Sequence, residues 1–476
     1  MKDSNKHVAR SALAIMGLGL ASSPLAAATN VCPDYRGPLA TAEQVSAEKQ
    51  AASIADSPEI TSLRPTLRKV LGEDPAARLP DGSATIERAI DLFSRSLILA
   101  EIAGDTNYPQ ILWWNDNSPR CWFGHVFPGS AISGDNPDHI YRTAFIDGSS
   151  SYRIRGRMGK KPVSQFSIEL TPGTPSDTPM VAQSKTRPDL GRQIAVITSK
   201  TMQFASDGSF EFTVDPTSKP GDPNHIQSPA GPGQLVIRDV LSDWSQEPTA
   251  LQIERVSPPN AARRTQQEIT QSIAAALPAY VRFWAGFKTN WLGGIANNTL
   301  VGPVARDGGW GYLVGGRFHL GDNQAMVVNI RTGGAKYYGI QVTNPWYIVP
   351  VDARKATVNL NTAQMRPDPT GRVTLIIAPR DPGYANWVST GKMHDGLLIF
   401  RWQAVPDGVS GSELLENYQV VDVAKLADII PQSASVSPAQ RQAELKLREQ
   451  EFDKRLGEVV IRANAAAEGG RAATPD

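Results

Sequence analysis

From about Trp113 onward the chain reads as short runs of Val, Ile, Phe and Tyr between clusters of Gly, Pro, Asp and Ser, the texture of a β-sandwich rather than of packed helices. The pattern occurs twice. "DGSFEFTV" (Asp207–Val214) lies over "TGRVTLII" (Thr370–Ile377), and the same offset of 163 positions places "GQLVIR" (Gly233–Arg238) on "GLLIFR" (Gly396–Arg401). Earlier in each half, "FIDGSSSYRI" (Phe145–Ile154) matches "FHLGDNQAMV" (Phe318–Val327) at an offset of 173. Three segments in the same order imply an internal duplication. The expected fold is therefore mainly β, with two jelly-roll-like sandwiches over residues 113–257 and 291–405. A chain of 476 residues also exceeds one ordinary hydrophobic core.

Helical patterns flank and join the two halves. In the region 29–112, "TAEQVSAEKQAASIAD" and "SATIERAIDLFSRSLILAEIAGD" carry apolar residues at helical spacing, with Ile86, Ala89, Ile90, Phe93 and Leu97 on one side. A linking helix is expected over 258–290, after Pro258-Pro259-Asn260, with a break at Pro278. The segment 406–476 reads as a connection followed by a C-terminal amphipathic helix. Ser437 is its N-cap and Pro438 its first residue, and Leu445, Phe452, Leu456 and Val459 form a stripe. Either the body or a second copy of the chain has to cover that stripe, so a homo-oligomer through this helix is one expectation.

The first residues predict export. Lys2, Lys6 and Arg10 precede a short apolar run that ends at Ala26-Ala27-Ala28, the layout of a secretory signal peptide over 1–28. The run is too short and too broken for a membrane span, so the mature chain is expected to be periplasmic or secreted. Loss of the leader moves the formal charge from +1 to −1. A near-neutral chain without basic blocks lacks the electrostatic footprint of a nucleic-acid binder. Two cysteines, Cys32 and Cys121, enter an oxidising compartment in which they can pair. Sequence alone leaves the pairing open.

The densest cluster of polar chemistry is "GDNPDHIYR" (Gly134–Arg142). Gly, Asn, Asp and Pro here are turn formers, and a turn that only starts a strand is one reading. The other is an acid/base site of Asp135, Asp138 and His139, with Tyr141 and Arg142 beside it to hold substrate. No His-x-His, His-Glu-x-x-His or close His/Cys cluster is present, so no metal or other cofactor is expected. A site assembled across strands from His125, His139 and Asp135 is the alternative weighed. The chain has ten tryptophans, several in Gly/Asn/Pro-rich contexts: Trp113, Trp114, Trp122, Trp291, Trp310, Trp346 and Trp387. Flat indole faces suit stacking on a sugar or aromatic ring, so Trp346 and Trp387, with His394, are the expected substrate-binding residues. Their other reading is as plugs at the ends of the sandwiches.

Several of these stretches resemble a bacterial family, the one catalogued as domain of unknown function 1214. They are "GDNPDHIY" (Gly134–Tyr141), "IDGSSSYRIRG" (Ile146–Gly156), "DGSFEF" (Asp207–Phe212), "LNTAQ" (Leu360–Gln364) and "DPGYANW" (Asp381–Trp387). The resemblance implies a domain of jelly-roll type and no reaction. In the first half, "DPNHIQ" places His225 where the second half has Trp387, so a role for that tryptophan would belong to one half only. The function expected is an exported lyase or hydrolase using acid/base side chains on a small glycan or aromatic substrate in a tryptophan-lined cleft. A non-catalytic binding protein and a structural or assembly protein are its rivals.

Overall fold

A computed structural model describes residues 32–177, 193–306 and 309–460. The expected leader and the expected mature start near Thr29 lie outside the described residues.

The chain folds into two β-sandwiches. In the first, a five-stranded sheet runs in the order Leu112–Asn115, His139–Asp147, Pro232–Val240, Gln165–Pro172, Ala195–Thr198. It faces a four-stranded sheet in the order His225–Gln227, Ser209–Asp215, Tyr152–Arg157, Ala250–Arg255. The second repeats this strand for strand. Its five-stranded sheet is Thr299–Arg306, Gly311–His319, Asp395–Gln403, Tyr337–Thr343, Asn359–Leu360, and its four-stranded sheet is Trp387–Ser389, Arg372–Ala378, Gln324–Arg331, Leu415–Asp422. Even the single parallel pairing in each sandwich recurs at the equivalent place, His225 beside Thr213 and Trp387 beside Ile376. Phe210 and Val373 sit on equivalent strands, as do Val236 and Ile399. The second sandwich extends past the expected limit of 405, because Leu415–Asp422 closes its four-stranded sheet.

The weakest of the three sequence matches is slipped by one residue on each strand. Ile154 pairs with Phe212 and Val328 with Leu375, so Ile154 corresponds to Val328 and not to Val327. Likewise Ile146 opposite Gly233 corresponds to Phe318 opposite Gly396. The reason is that Val327 and Val328 are both buried. Val328 points into the sandwich, while Val327 packs outward with Ile376 under Leu426 and Ile430. A strand buried on both faces loses the alternation that fixes register.

Each sandwich has its own core, with Ile154, Phe166, Phe212 and Ile237 in the first and Val328, Ile340, Leu375 and Phe400 in the second. A third core lies over the outer faces of the five-stranded sheets, where the helices Ala42–Ala55, Arg64–Gly72, Ile86–Ala103 and Gln266–Gly286 pack. The linking helix opens with a capping box, Thr265 with Glu268. It passes through Pro278 without ending, contrary to the expected break. An interior proline costs about 3 kcal/mol. Burial of Ile273, Leu277, Tyr280, Val281 and Trp284 along the helix more than offsets that at roughly 1.5–3 kcal/mol for each large side chain.

The C-terminal helix, Pro438–Phe452, starts at Ser437 with a capping box to Gln440. Only part of the expected apolar stripe is buried, Phe452 and, beyond the helix, Leu456. Arg441, Arg448 and Phe452 are buried, Leu445 is half-exposed, and Leu456 and Val459 lie beyond the helix, with Val459 exposed. Arginines dock it on the body: Arg441 on Asp381 at 2.9 Å, Arg448 on the Ala353 carbonyl at 2.6 Å, and Arg455 just after it on Asp116 at 3.1 Å. These contacts give a homo-oligomer through this helix no support. A disulfide joins Cys32 to Cys121, with Cα atoms 4.9 Å apart, and ties the start of the described chain to the first sandwich.

Candidate functional site

The stretch Gly134–Arg142 reaches from the first sandwich into the second. Gly134 has φ +83°, a conformation that favours glycine, donates its N–H to the Tyr347 carbonyl at 2.8 Å, and leaves a Cβ only a tight fit, 3.1 Å from the Tyr347 ring. Asn136 closes an Asx turn by accepting from the Asp138 N–H at 2.9 Å.

Asp138 is fully buried and collects four donors. Its Oδ1 accepts from Trp244 Nε1 at 2.8 Å, Asn359 Nδ2 at 2.9 Å and Asn361 Nδ2 at 3.1 Å, and its Oδ2 accepts from the Tyr337 hydroxyl at 3.1 Å. Burial pushes its carboxyl up while the two asparagine amides pull it down. Asp135 accepts from the Val349 N–H at 3.2 Å, and burial pushes its pKa up to about 7. His139 Nδ1 lies 3.1 Å from the Tyr141 hydroxyl. Burial first, then the charges of Arg401, Arg238 and Arg306, hold its pKa well below the usual histidine range, so the ring is neutral. Tyr337, Val349, Asn359 and Asn361 all belong to the second half. The crowded polar loop is thus a bolt between the two sandwiches, and its acids are enclosed by protein donors.

The other expected site residues are dispersed. Arg142 points into the first sandwich, where it pairs with Asp239 at 2.6 Å and donates to the Thr249 carbonyl at 2.7 Å. Trp346 is sealed in the helical core and donates to the Gly82 carbonyl at 2.9 Å. Trp387 donates to the Ala378 carbonyl at 3.1 Å and lines a groove beside the C-terminal helix with Trp244 and Arg441. His394 Nδ1 donates to the Leu320 carbonyl at 2.8 Å. Trp113, Trp114 and Trp122 are buried in the cores, and Trp310 is buried against two arginines. His125 bonds to Glu48 at 3.0 Å, and among the described residues no three His, Cys, Asp or Glu side chains are placed to hold a metal ion.

A wide concavity of about 1120 Å³ lies on the open face of the first four-stranded sheet. Its charges, Arg153 and Arg155 with Glu211 and Glu254, are paired with one another at 3.0 to 3.5 Å in water. That is the ordinary state of a solvated sheet face.

A smaller cavity of about 80 Å³ has different chemistry. It lies where the two five-stranded sheets and the linking helix meet, and Gly134 and Tyr141 form part of its wall. Asp135, Asp138 and His139 do not. Three arginines line it: Arg238, Arg306 and Arg401. Arg401 is committed to protein, donating to Gln341 Oε1 and, at 3.1 Å, to the Gly134 carbonyl. Arg238 is 6 % exposed. It stacks on Trp310 at 4.1 Å and Tyr141 at 5.0 Å, and its Nε has no hydrogen-bond partner. Arg306 lies over the same Trp310 at 5.5 Å, and burial and then Arg238 push its pKa down to about 10. Another buried donor in the wall, Asn115 Nδ2, is also without a partner. Glu169 is the buried carboxylate whose charge acts on both Arg238 and Arg306.

Sequence reasoning missed these arginines, although the signal was present. Arg238 and Arg401 are the last residues of "GQLVIR" and "GLLIFR", and they hold equivalent places in the two halves. Both alternate with inward-facing residues and so read as solvent-facing positions. They are buried because each outer sheet face is turned toward the other sandwich and the helices.

No protein-family model matches the chain, and neither does any curated protein. Among solved structures, an uncharacterised protein from Burkholderia cenocepacia is similar over 79% of this chain and 99% of its own, at 21% identity and a TM-score of 0.62. A protein from Vibrio parahaemolyticus covers 70% of this chain and all of its own at 11% identity, but its TM-score of 0.38 carries no argument. The Burkholderia likeness is one of fold: the chain shares the β-rich architecture of that structure.

Proposed function

We propose that this chain is an exported protein that binds a small organic anion in the cavity between its two sandwiches. The observation that carries the reading is the excess of unpaired donor chemistry there. Arg238 Nε and the Asn115 amide, both buried, lack partners beside one small space that the half-buried Arg306 also lines, and the charge of the buried Glu169 acts on both arginines. Buried donors are ordinarily satisfied, and a buried guanidinium without a partner is costly. An anion supplies what the protein does not. The Cys32–Cys121 disulfide fits a protein of an oxidising compartment, and the resemblance to the family of unknown function stands beside this as a proposal about descent. A second reading, an enzyme acting on the same ligand, rests on Tyr141 in the cavity wall, whose hydroxyl is backed by His139. Asp135 and Asp138 offer it little, being enclosed.

Arg238→Met tests the reading. A structural arginine would be missed by the fold. One reserved for a ligand sits unpaired at some expense, so a methionine of similar volume is expected to leave stability unchanged or raise it by about 1 kcal/mol. Ligand binding should be lost together with the stabilisation it confers, which is about 2.7 kcal/mol at a hundred times Kd. A variant destabilised by more than about 2 kcal/mol that still responds to small anions as the parent does would refute the reading.

A further inference from the structure

We infer that the ligand is a carboxylate of one or two carbon atoms, formate or acetate in size, an inference that rests on the anion-binding reading above. Size comes first. A dry cavity of about 150 Å³ takes one benzene molecule, and this one has about 80 Å³. At roughly 30 Å³ for each water in the liquid, that is the space of two or three waters, the bulk of a very small anion. Rings, sugars and nucleotides are excluded.

The donors come next. Among the described residues the Arg238 guanidinium, 6 % exposed, donates no hydrogen bond and forms no ion pair, and it rests on the faces of Trp310 and Tyr141. The Asn115 side chain is held in one orientation, because its Oδ1 accepts from the Ile132 N–H at 3.0 Å. The atom left without a partner is therefore its Nδ2, a donor. Both residues line the cavity, and among the described residues no Asp or Glu does. Trp284 Nε1 in the same lining lacks a hydrogen bond of normal geometry, but the Tyr280 hydroxyl interacts with it, so it adds less. Arg401 is already spent on Gln341 and Gly134, and the Ser133 hydroxyl on the Trp284 carbonyl.

A guanidinium edge and a primary amide are both planar donors, suited to two oxygens in one plane. A carboxylate presents those two oxygens and, beyond them, only a hydrogen or a methyl group. Ile132, Phe287 and Leu313 in the lining can meet that group without a hydrogen bond. A tetrahedral oxyanion has more oxygens to satisfy than the lining has free donors. Charge points the same way. Glu169 acts on Arg238 and Arg306, and Arg401 acts on Asp135, which titrates at about 7. Among the described residues, three arginines against one full and one partly ionised carboxylate leave about one to two positive charges near neutral pH. A monoanion reduces that excess without reversing it.

The test is calorimetric titration of the purified chain, at constant ionic strength, with formate, acetate, benzoate, inorganic phosphate, chloride and acetamide. The better of formate and acetate is expected to bind about tenfold or more tightly than each of the other four. Benzoate is too large, phosphate and chloride lack the planar pair of oxygens, and acetamide lacks the charge. Asn115→Asp keeps an acceptor for the Ile132 N–H and sets a negative charge in place of the donor. With its fold intact by circular dichroism, it should weaken the preferred carboxylate about tenfold or more. If benzoate, phosphate or chloride binds the parent as tightly as the better short carboxylate, the size and shape assignment falls and the anion reading stands. If acetamide binds as tightly, charge is irrelevant and both fall. Both fall as well if none of the six binds to folded protein, or if folded Asn115→Asp binds as the parent does.

Discussion

Asp138 tests the bolt between the sandwiches. Replacing it by alanine leaves Trp244 Nε1, Asn359 Nδ2, Asn361 Nδ2 and the Tyr337 hydroxyl without their shared acceptor in a site closed to water. Each stranded buried donor costs about 1–3 kcal/mol. The sum overstates the effect, since the same change also removes a carboxylate whose burial is itself unfavourable, and the new space lets side chains turn toward other partners. A net loss of about 3–5 kcal/mol is the expectation, the range for breaking a buried charged network by deleting one member. Asp138→Asn separates the two contributions. Its carbonyl oxygen can keep the three donors now on Oδ1, while its amide replaces Oδ2 opposite the Tyr337 hydroxyl. One hydrogen bond is then lost or reversed, at a cost of about 1–2 kcal/mol. Urea unfolding followed by far-ultraviolet circular dichroism and by tryptophan fluorescence measures both variants. If Asp138→Ala lies within about 1 kcal/mol of the parent, the four contacts do not stabilise the interface and the loop is turn chemistry alone.

Asp135 gives a pH signature of definite sign. Its folded pKa is raised to about 7 from 3.8, so the folded state holds this proton more tightly than the unfolded one. The resulting stability is present in full below about pH 4 and is lost as pH climbs to about 7, up to about 4 kcal/mol for a shift of this size. Asp135→Asn, which keeps an acceptor for the Val349 N–H, should flatten the unfolding free energy between pH 4 and 7, and an unchanged slope would show that another group sets it. Cys32 and Cys121 are separated by 89 positions, so the loop-entropy account gives the paired Cys→Ser variant a loss of about 4.6 kcal/mol. An unfolding midpoint indifferent to reductant would remove the disulfide from the stability of the protein.

The fold was legible where burial is one-sided. "DGSFEFTV" and "TGRVTLII" keep enough alternation, with Phe210, Phe212 and Val214 in one half and Val373, Leu375 and Ile377 in the other facing their cores, for the duplication and its offset to emerge from sequence. Register failed where the second face is also covered, as at Val327 and Val328. The C-terminal helix misled for a related reason. A leucine stripe is a strong sign of a buried face only when the competing face is solvated, and here long arginines carry the docking by hydrogen bonds to carbonyls and carboxylates. At the polar loop, Asp135, Asp138 and His139 stand in one dense cluster whether the cluster acts on a ligand or on the other half of the molecule. Those alternatives differ in what lies across the gap, and that is set by residues about 200 positions away, such as Tyr337, Asn359 and Asn361.

Duplication itself accounts for why a charged cavity lies at the centre. Two copies of one sandwich that meet through the same sheet bring the same strand position together from both sides, so one arginine at that position becomes two, Arg238 and Arg401. Facing each other in a buried seam, two such charges repel and are costly to desolvate, and the halves have diverged in ways that resolve the conflict differently. The second half uses Gln341 to hold Arg401 where the first has Glu169 at the equivalent place on the neighbouring strand, opposite Ile399 and Val236 respectively. It also has Leu313 opposite Arg401, where the first has Tyr141 opposite Arg238. Arg401 has thereby been absorbed into the bolt, tied to the carbonyl of Gly134. Arg238 lies on aromatic faces, with Arg306 over the same Trp310 and the charge of Glu169 acting on both. A seam under selection for stability alone would have lost the second charge, since an apolar side chain of similar volume is often neutral or better in such a place. The presence of Arg238 without a partner on Nε, with Arg306 beside it, is what a ligand that brings its own negative charge would require.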